Sequence, residues 1–211
     1  LRLSGEGGYY TFGLQTPRGT IANCRLGYPG LINVENAVAA SAAAFLAGAM
    51  EDEIKAGLES YQGVVRRFDV RFRDERHVYI DDYAHHPEEL NAVINSVKAL
   101  YPGRKVTGIF QPHLYSRTRD FVNEFAMSLD LLDETILVPI YPAREEPIAG
   151  VSSELIFDKM RSANKFLAEK SEAAQLLKDH QTDIVLTLGA GDIDSIADDI
   201  TEVLKNKKDV A

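Results

Sequence analysis

Val78-Tyr79-Ile80-Asp81-Asp82-Tyr83-Ala84-His85-His86-Pro87-Glu88-Glu89 decides how this chain is read. Val78 to Ile80 is a short apolar run of strand-forming residues. Pro87 suits a first helical position, and the two glutamates after it suit a first helical turn. Between strand and helix lie two carboxylates, a phenol and two imidazoles. A strand that ends in polar residues and turns into a helix is where open α/β sheets place their ligands. The plainer alternative is an aspartate capping the helix beside solvated histidines, since turns collect Asp and His for local reasons.

A second block repeats the pattern. Lys105 to Phe110 (KVTGIF) reads as a strand, followed by Gln111-Pro112-His113-Leu114-Tyr115-Ser116-Arg117-Thr118-Arg119-Asp120. If the two strands are neighbours, acids and imidazoles from one exit and imidazole and guanidinium from the next face one crevice. Arginine presents a planar fork of donors that fits carboxylates and phosphates. Cations at the start of a helix oppose its dipole, so an anionic ligand is expected nearby. The alternative is an arginine pair in the helix's first turn with packed stems and solvated heads.

The 211 residues carry a net charge of -9, which argues against nucleic acid as a partner. A hydrophobic share of 45% suffices for a packed core. The longest apolar stretch, Ala37 to Met50, is too short and too alanine-rich to span a bilayer, so no membrane partner is expected. No secretory signal is visible at the N-terminus. The one cysteine, Cys24, fits a reducing compartment and is expected as a packed thiol in a strand. The chain opens mid-pattern at Leu1 without a methionine, which predicts a piece of a longer protein.

Along the chain, Tyr9 to Phe12 and Thr20 to Leu26 predict a hairpin. Asn33 is placed to cap an alanine-rich helix from Val34 to Gly48, and a second helix spans Asp52 to Tyr61. After a junction at Val64-Val65-Arg66-Arg67-Phe68 the pattern alternates. Strands are predicted at 70–73, 78–81, 105–110, 135–138, 165–167 and 184–188, and helices at 87–100, 119–130, 153–161, 171–179 and 192–205. That order implies an α/β fold, Rossmann-like, with a mostly parallel sheet and helices on both faces, preceded by a smaller α+β part. Leu186 to Asp194 (LTLGAGDID) is a third strand exit. Its Gly189 and Gly191 suit either turn chemistry or close approach to a phosphate, and Asp192 is placed to cap the next helix.

FQPHLYSRTRDF together with DDYAHHPEE resembles the C-terminal domain of the Mur ligases, and within them the branch that joins L-alanine to UDP-N-acetylmuramate. The resemblance implies ATP-dependent amide-bond formation in bacterial peptidoglycan synthesis, through an acyl phosphate, in the cytoplasm. It implies that residues 1–66 are the C-terminal part of the central ATP-binding domain and that residues 67–211 are the Rossmann-like C-terminal domain. Gly30 to Ala37 resembles the family segment written His-Asn with a second asparagine following; Ile32 stands where the histidine is usual. By that match Asn33 recognises adenine and Asn36 belongs to the same nucleotide site, while capping by Asn33 stays open. Arg67 matches the arginine that reaches the ATP phosphates, with a surface linker arginine as the alternative, and Asp82 matches the aspartate that contacts the nucleotide. Tyr83, His85, His113 and Arg117 match positions lining the amino-acid site, with Arg117 pairing with the alanine carboxylate. Leu114 replaces an arginine common after the QPH triplet. ATP and Mg2+ are the implied cofactors, yet no GxxGK[ST] phosphate cradle occurs in these residues. The metal ligands are therefore expected upstream, and the chain alone is expected to be inactive.

Three other readings stand beside this one. Asp81, Asp82, His85, His86 and His113 are candidates for the metal site of a hydrolase. A related ligase attaches a preformed peptide to the muramyl sugar in murein recycling. A nucleotide-binding module without turnover is the third.

Overall fold

The computed structural model describes residues 4–6 and 9–207. The chain divides into two compact units, Leu1–Val64 with Ser96–Pro102, and Val65–Asn95 with Gly103–Ala211.

The first unit has an antiparallel sheet of β1 (Ser4–Glu6), β2 (Tyr9–Thr16) and β3 (Gly19–Arg25), in that order. The hairpin expected from the sequence is present and longer, and β1 joins its edge. Two helices follow, α1 (Leu31–Leu46) and α2 (Glu51–Ser60). Phe12, Leu14, Ile21, Cys24 and Leu26 pack against Val34, Ala37, Ile54 and Leu58. Cys24 is the packed thiol expected, and burial raises its pKa. Gly27 is required where it stands, because a Cβ there would lie 2.1 Å from the Glu59 carbonyl oxygen. Asn33 is not the helix cap: α1 begins two residues earlier, Gly30 takes the cap position, and the Asn33 amide donates to the Pro29 carbonyl at 2.6 Å. Gly30 at φ 101 adopts a backbone that side chains disfavour, which moves the helix start upstream of the asparagine.

The second unit is a six-stranded sheet. Its strands are β4 (Asp69–Arg73), β5 (Val78–Asp82), β6 (Val106–Phe110), β7 (Glu134–Leu137), β8 (Lys165–Leu167) and β9 (Ile184–Leu188). Their order is β4-β5-β9-β6-β7-β8; β4 is antiparallel to β5 and all other neighbours are parallel. The expected α/β architecture is therefore present. Every residue of β5, β6, β7 and β9 is buried, as parallel strands covered on both faces require.

The helices are α3 (Pro87–Leu100), α4 (Tyr115–Asp120), α5 (Val122–Leu129), α6 (Glu154–Lys159), α7 (Lys170–Asp179) and α8 (Ala197–Asn206), the last preceded by a 3-10 turn at Ile193–Ile196. The helix expected over 119–130 is thus two helices broken at Phe121, whose φ of -120 leaves the helical range. Pro87 opens α3 as expected. The direction of travel fixes the faces. From β5 to β6, β7 and β8 the chain steps one way across the sheet; from β8 to β9 it returns. Right-handed crossovers place connections of opposite direction on opposite faces. Ala173, Leu177 and Ile200 of α7 and α8 accordingly cluster with Tyr79, Ile109, Ile136 and Val185, while Phe110 meets Phe125 of α5 with ring centroids 5.4 Å apart. Gly108 lets Leu132 approach the sheet, since a Cβ there would be 2.4 Å from Leu132 Cδ1. Among the described residues no helix is long and apolar enough to cross a membrane.

Candidate functional site at the carboxyl ends of β5, β9 and β6

β5 and β6 are not neighbours; β9 lies between them. The loops that leave β5 and β6 still meet across the β9 turn, through His85 and His113. β5 and β6 send their chains to one face and β9 to the other. Reversals of this kind open a crevice at the carboxyl ends of the strands.

Three loops meet there. After β5, Tyr83 and His85 pack ring edge to ring face at 5.4 Å, and His85 meets His113 of the post-β6 loop at 5.8 Å. His113 stacks on Tyr141, at 5.8 Å and 16° between planes. Arg117 Nη1 lies 3.3 Å from His113 Nδ1. Tyr83, His85, His113 and Arg117, all expected at the amino-acid site, are thus brought into one contiguous group. A guanidinium only donates, so His113 Nδ1 is the acceptor and its proton sits on Nε2. Burial, then Arg117, then His85 hold the His113 pKa below its ordinary value. The neutral ring is therefore a donor through Nε2–H.

His85 has the opposite tautomer. Its Nδ1 lies 2.9 Å from the Tyr83 carbonyl oxygen and 3.2 Å from Glu89 Oε2, both acceptors, so Nδ1 carries the proton. The same Glu89 oxygen accepts the backbone N–H groups of His85 at 2.9 Å and His86 at 3.2 Å, serving donors that the start of α3 leaves unpaired. His86 points elsewhere and meets Phe121 at 4.9 Å.

The two aspartates do not share the crevice surface with the imidazoles. Asp82 is 5% exposed, and its carboxylate accepts the Phe68 N–H at 2.7 Å and the Ala84 N–H at 2.8 Å. Burial raises its pKa to about 6. Asp81 is 1% exposed and accepts the Thr187 hydroxyl at 2.6 Å; Tyr79 lies 3.0 Å beyond, on the same hydroxyl. Burial raises the Asp81 pKa against the opposing pull of Thr187 and Arg66.

Arg66 is the residue the sequence reading passed over. Its guanidinium donates to the carbonyls of Gly189 at 2.6 Å and Gly191 at 2.9 Å, and Nε lies 3.4 Å from Asp81 Oδ2. Asp194 adds a contact at 3.2 Å. The doubled arginine at the junction was the available signal; which of the two turns inward is not written in a local pattern. Arg66 and Phe68 both adopt left-handed backbone, at φ 60 and 54, and Arg67 between them lies over the Tyr83 ring at 5.4 Å. Non-glycine residues in that region carry strain that surrounding contacts must sustain.

The glycine turn after β9 is explained by packing. A Cβ on Gly189 would meet the Gln111 carbonyl oxygen at 2.7 Å, and one on Gly191 would meet Gln111 Oε1 at 2.4 Å and Tyr141 Cβ at 2.6 Å. Asp192 caps nothing through its side chain; it accepts Gln111 Nε2 at 2.9 Å and pairs with Lys170 at 2.5 Å. The carboxylate at the start of α4 serves Ser116 and not the arginine pair. Glu145 accepts the Ser116 N–H at 2.9 Å and the Ser116 hydroxyl, and these bonds hold its pKa below the usual range. Arg117 and Arg119 lie in the last turn of α4, where the dipole favours cations, so the expected first-turn placement does not hold. Arg119 pairs with Asp120 at 2.8 Å, whereas Arg117 has His113 as its one polar contact among the described residues.

Asn33 and Asn36 belong to the first unit. They line a cavity of about 300 Å³ walled by Ala37, Ala40, Ile54 and Leu58. Asn33 is buried and bonded to Pro29; Asn36 is exposed. In the second unit a cavity of about 530 Å³ opens at the ends of β7 and β8. It carries Glu154, Glu169 and Glu172 and no cation, which suits it poorly to a carboxylate ligand. Among the described residues no group of three or more His, Cys, Asp or Glu is placed to hold a metal ion. Of the residues proposed for a hydrolase metal site, Asp81, Asp82 and His86 are turned away from the His85–His113 pair by the contacts just given.

Comparison with known proteins agrees with this geometry. Residues 66–191 match the family model described as Mur ligase, glutamate ligase domain. A UDP-N-acetylmuramate--L-alanine ligase of Parabacteroides distasonis is 51% identical over 93% of this chain, and one of Phocaeicola vulgatus is 49% identical over 93%. The chain spans 43% of the length of each. The crystal structure of a UDP-N-acetylmuramate-alanine ligase from Thermotoga maritima superposes with a TM-score of 0.81 at 26% identity, over 98% of this chain and 45% of that one. With more than half of its residues inside the matched model and its strand exits arranged as described, the chain belongs to the Mur ligase family and carries that family's glutamate ligase domain.

Proposed function

We propose that this chain is the C-terminal part of an ATP-dependent ligase that joins L-alanine to UDP-N-acetylmuramate through an acyl phosphate, in bacterial cytoplasm and for peptidoglycan synthesis. Residues 1–66 are read as the tail of the central ATP-binding domain and 67–211 as the domain that presents the amino acid. The observation that carries the reading is the Arg117 guanidinium beside His113, at the carboxyl end of the sheet and without a carboxylate partner among the described residues. Arg117, held by His113 Nδ1 and with its remaining N–H groups unpaired among the described residues, presents a cationic fork that fits the carboxylate of a small amino acid. Relatives about half identical that are named for this ligation support the choice of substrate.

In this reading Tyr83 and His85 form the opposite wall of the amino-acid site. Arg67 extends from the strained junction to the nucleotide phosphates, with Asp82 fixing that junction through the Phe68 N–H. Asn33 is assigned to adenine, with its amide NH2 anchored on the Pro29 carbonyl, and Asn36 to the same nucleotide site. The described residues do not make a complete magnesium site. Mg2+ is assigned to upstream residues, as is the phosphate cradle.

The test is steady-state assay of the complete polypeptide that carries this chain. Phosphate release that requires ATP, UDP-N-acetylmuramate and free L-alanine together supports the reading. Release that requires a preformed peptide in place of L-alanine replaces it with the recycling ligase. Turnover by the 211-residue chain alone would overturn the division of labour proposed here.

A further inference from the structure

We infer that His85, oriented by Glu89, is the base that takes the proton from the incoming amine. The inference rests on the ligase reading above and goes beyond it by naming the group that makes the amine nucleophilic.

An amino acid at neutral pH presents an ammonium, which has no lone pair to attack an acyl phosphate. One proton must leave before the C–N bond forms. The crevice offers few acceptors. Asp81 and Asp82 are buried and bonded to Thr187, Phe68 and Ala84. Glu145 is held by Ser116, and Glu89 Oε2 already receives two backbone N–H groups and an imidazole. Tyr83 is a phenol, and His113 directs its acceptor nitrogen at Arg117. That leaves His85. With Nδ1 donating to the Tyr83 carbonyl and Glu89, the lone pair of the neutral ring lies on Nε2, which has no hydrogen bond among the described residues. The side chain is 22% exposed, so the ring is reachable yet fixed. A base oriented by a third group is the recurrent arrangement for activating a nucleophile. The charged and titratable groups facing it are Glu89 from α3, Tyr83 beside it and His113 across it, with Arg117 behind His113.

The step balances as follows. Nε2 of His85 takes one proton from the ammonium. The freed nitrogen bonds to the acyl carbon, the bond from that carbon to the phosphate oxygen breaks, and the second proton lost by nitrogen leaves with the phosphate. The imidazolium then returns its proton to solvent. Arg117, braced by His113, holds the carboxylate of the same amino acid, so donor and acceptor together suit a zwitterion. Glu89 touches no substrate; it is a positioning residue.

The experiment uses the complete ligase with two acceptors, L-alanine and hydroxylamine, the latter already unprotonated at neutral pH. His85→Asn keeps an N–H for the Tyr83 carbonyl but takes no proton. Its kcat with L-alanine is expected to fall about 100-fold or more at neutral pH, with the deficit shrinking as pH rises, while hydroxamate formation falls by a much smaller factor. Glu89→Gln retains an acceptor for the two N–H groups but loosens the imidazole's hold, so its kcat with L-alanine should fall more than its rate of hydroxamate formation. Equal loss with both acceptors, or undiminished alanine turnover in His85→Asn, overturns the assignment. Absence of hydroxamate from the wild-type enzyme with ATP and UDP-N-acetylmuramate would instead sink the acyl-phosphate reading beneath it.

Discussion

Arg66 Nη2 donates to the Gly189 carbonyl at 2.6 Å, tying the entry of β4 to the exit of β9 across 123 residues of sequence. Its guanidinium also lies beside Asp81, which the fold buries almost completely. One side chain thus serves two strand-end carbonyls and a buried carboxylate. Removing it leaves all three without that partner.

For Arg66→Met we expect a loss of about 3–5 kcal/mol, the usual result of deleting one member of a buried charge pair. Arg66→Lys restores the charge but not the fork, and should recover only part of it. Hydrogen exchange of the β5 and β9 amides reads the stability of this unit directly, since two compact units make a single unfolding midpoint ambiguous.

Asp82 gives a pH dependence whose sign is fixed. Burial lifts its pKa from 3.8 to about 6 in the folded chain. The folded state therefore binds the proton more tightly than the unfolded state. The associated stability is present below the unfolded value and lost as pH rises through about 6, in all roughly 3 kcal/mol at about 1.4 per unit. Asp82→Asn should remove this dependence. Relative to that variant, the wild type is expected to lose stability between pH about 4 and 7, measured at each pH by hydrogen exchange of the β5 and β9 amides corrected for their intrinsic rates. A difference that stays flat or grows with pH contradicts the burial argument.

Glycine substitutions separate packing from turn propensity. Gly191→Ala places a Cβ 2.4 Å from Gln111 Oε1 and 2.6 Å from Tyr141 Cβ, and should cost about 1–3 kcal/mol. Because Tyr141 stacks on His113, the variant should also move the His113 ring resonances in NMR. Gly57→Ala, inside α2 with nothing within 4 Å, should instead stabilise the first unit by about 0.5–1 kcal/mol.

Arg117→Ala addresses the proposed carboxylate clamp. In the complete ligase it should raise KM for L-alanine about 10- to 100-fold, as expected for losing a hydrogen bond to a charged group worth about 1.5–3 kcal/mol. The KM for ATP should stay at the wild-type value. A parallel rise in both would place Arg117 outside the amino-acid site.

The strands and most helices were legible because each is written locally. The all-apolar run Ile184 to Leu188 reads as a strand buried on both faces, and Pro87-Glu88-Glu89 reads as a helix start. Tyr83, His85, His113 and Arg117 stood out because polar residues crowded the strand exits for no reason that folding supplies. Sequence alone thus determined the alternation of elements and which side chains cluster at their ends. The tertiary structure decided the rest. It inserted β9 between β5 and β6, turned Asp81 and Asp82 inward, chose Arg66 over Arg67 for the buried link, and supplied Glu145 as the anion at α4. Those choices rest on strand pairings and charge contacts between residues tens to more than a hundred positions apart. Periodicity and capping act within a few residues and carry no information about them.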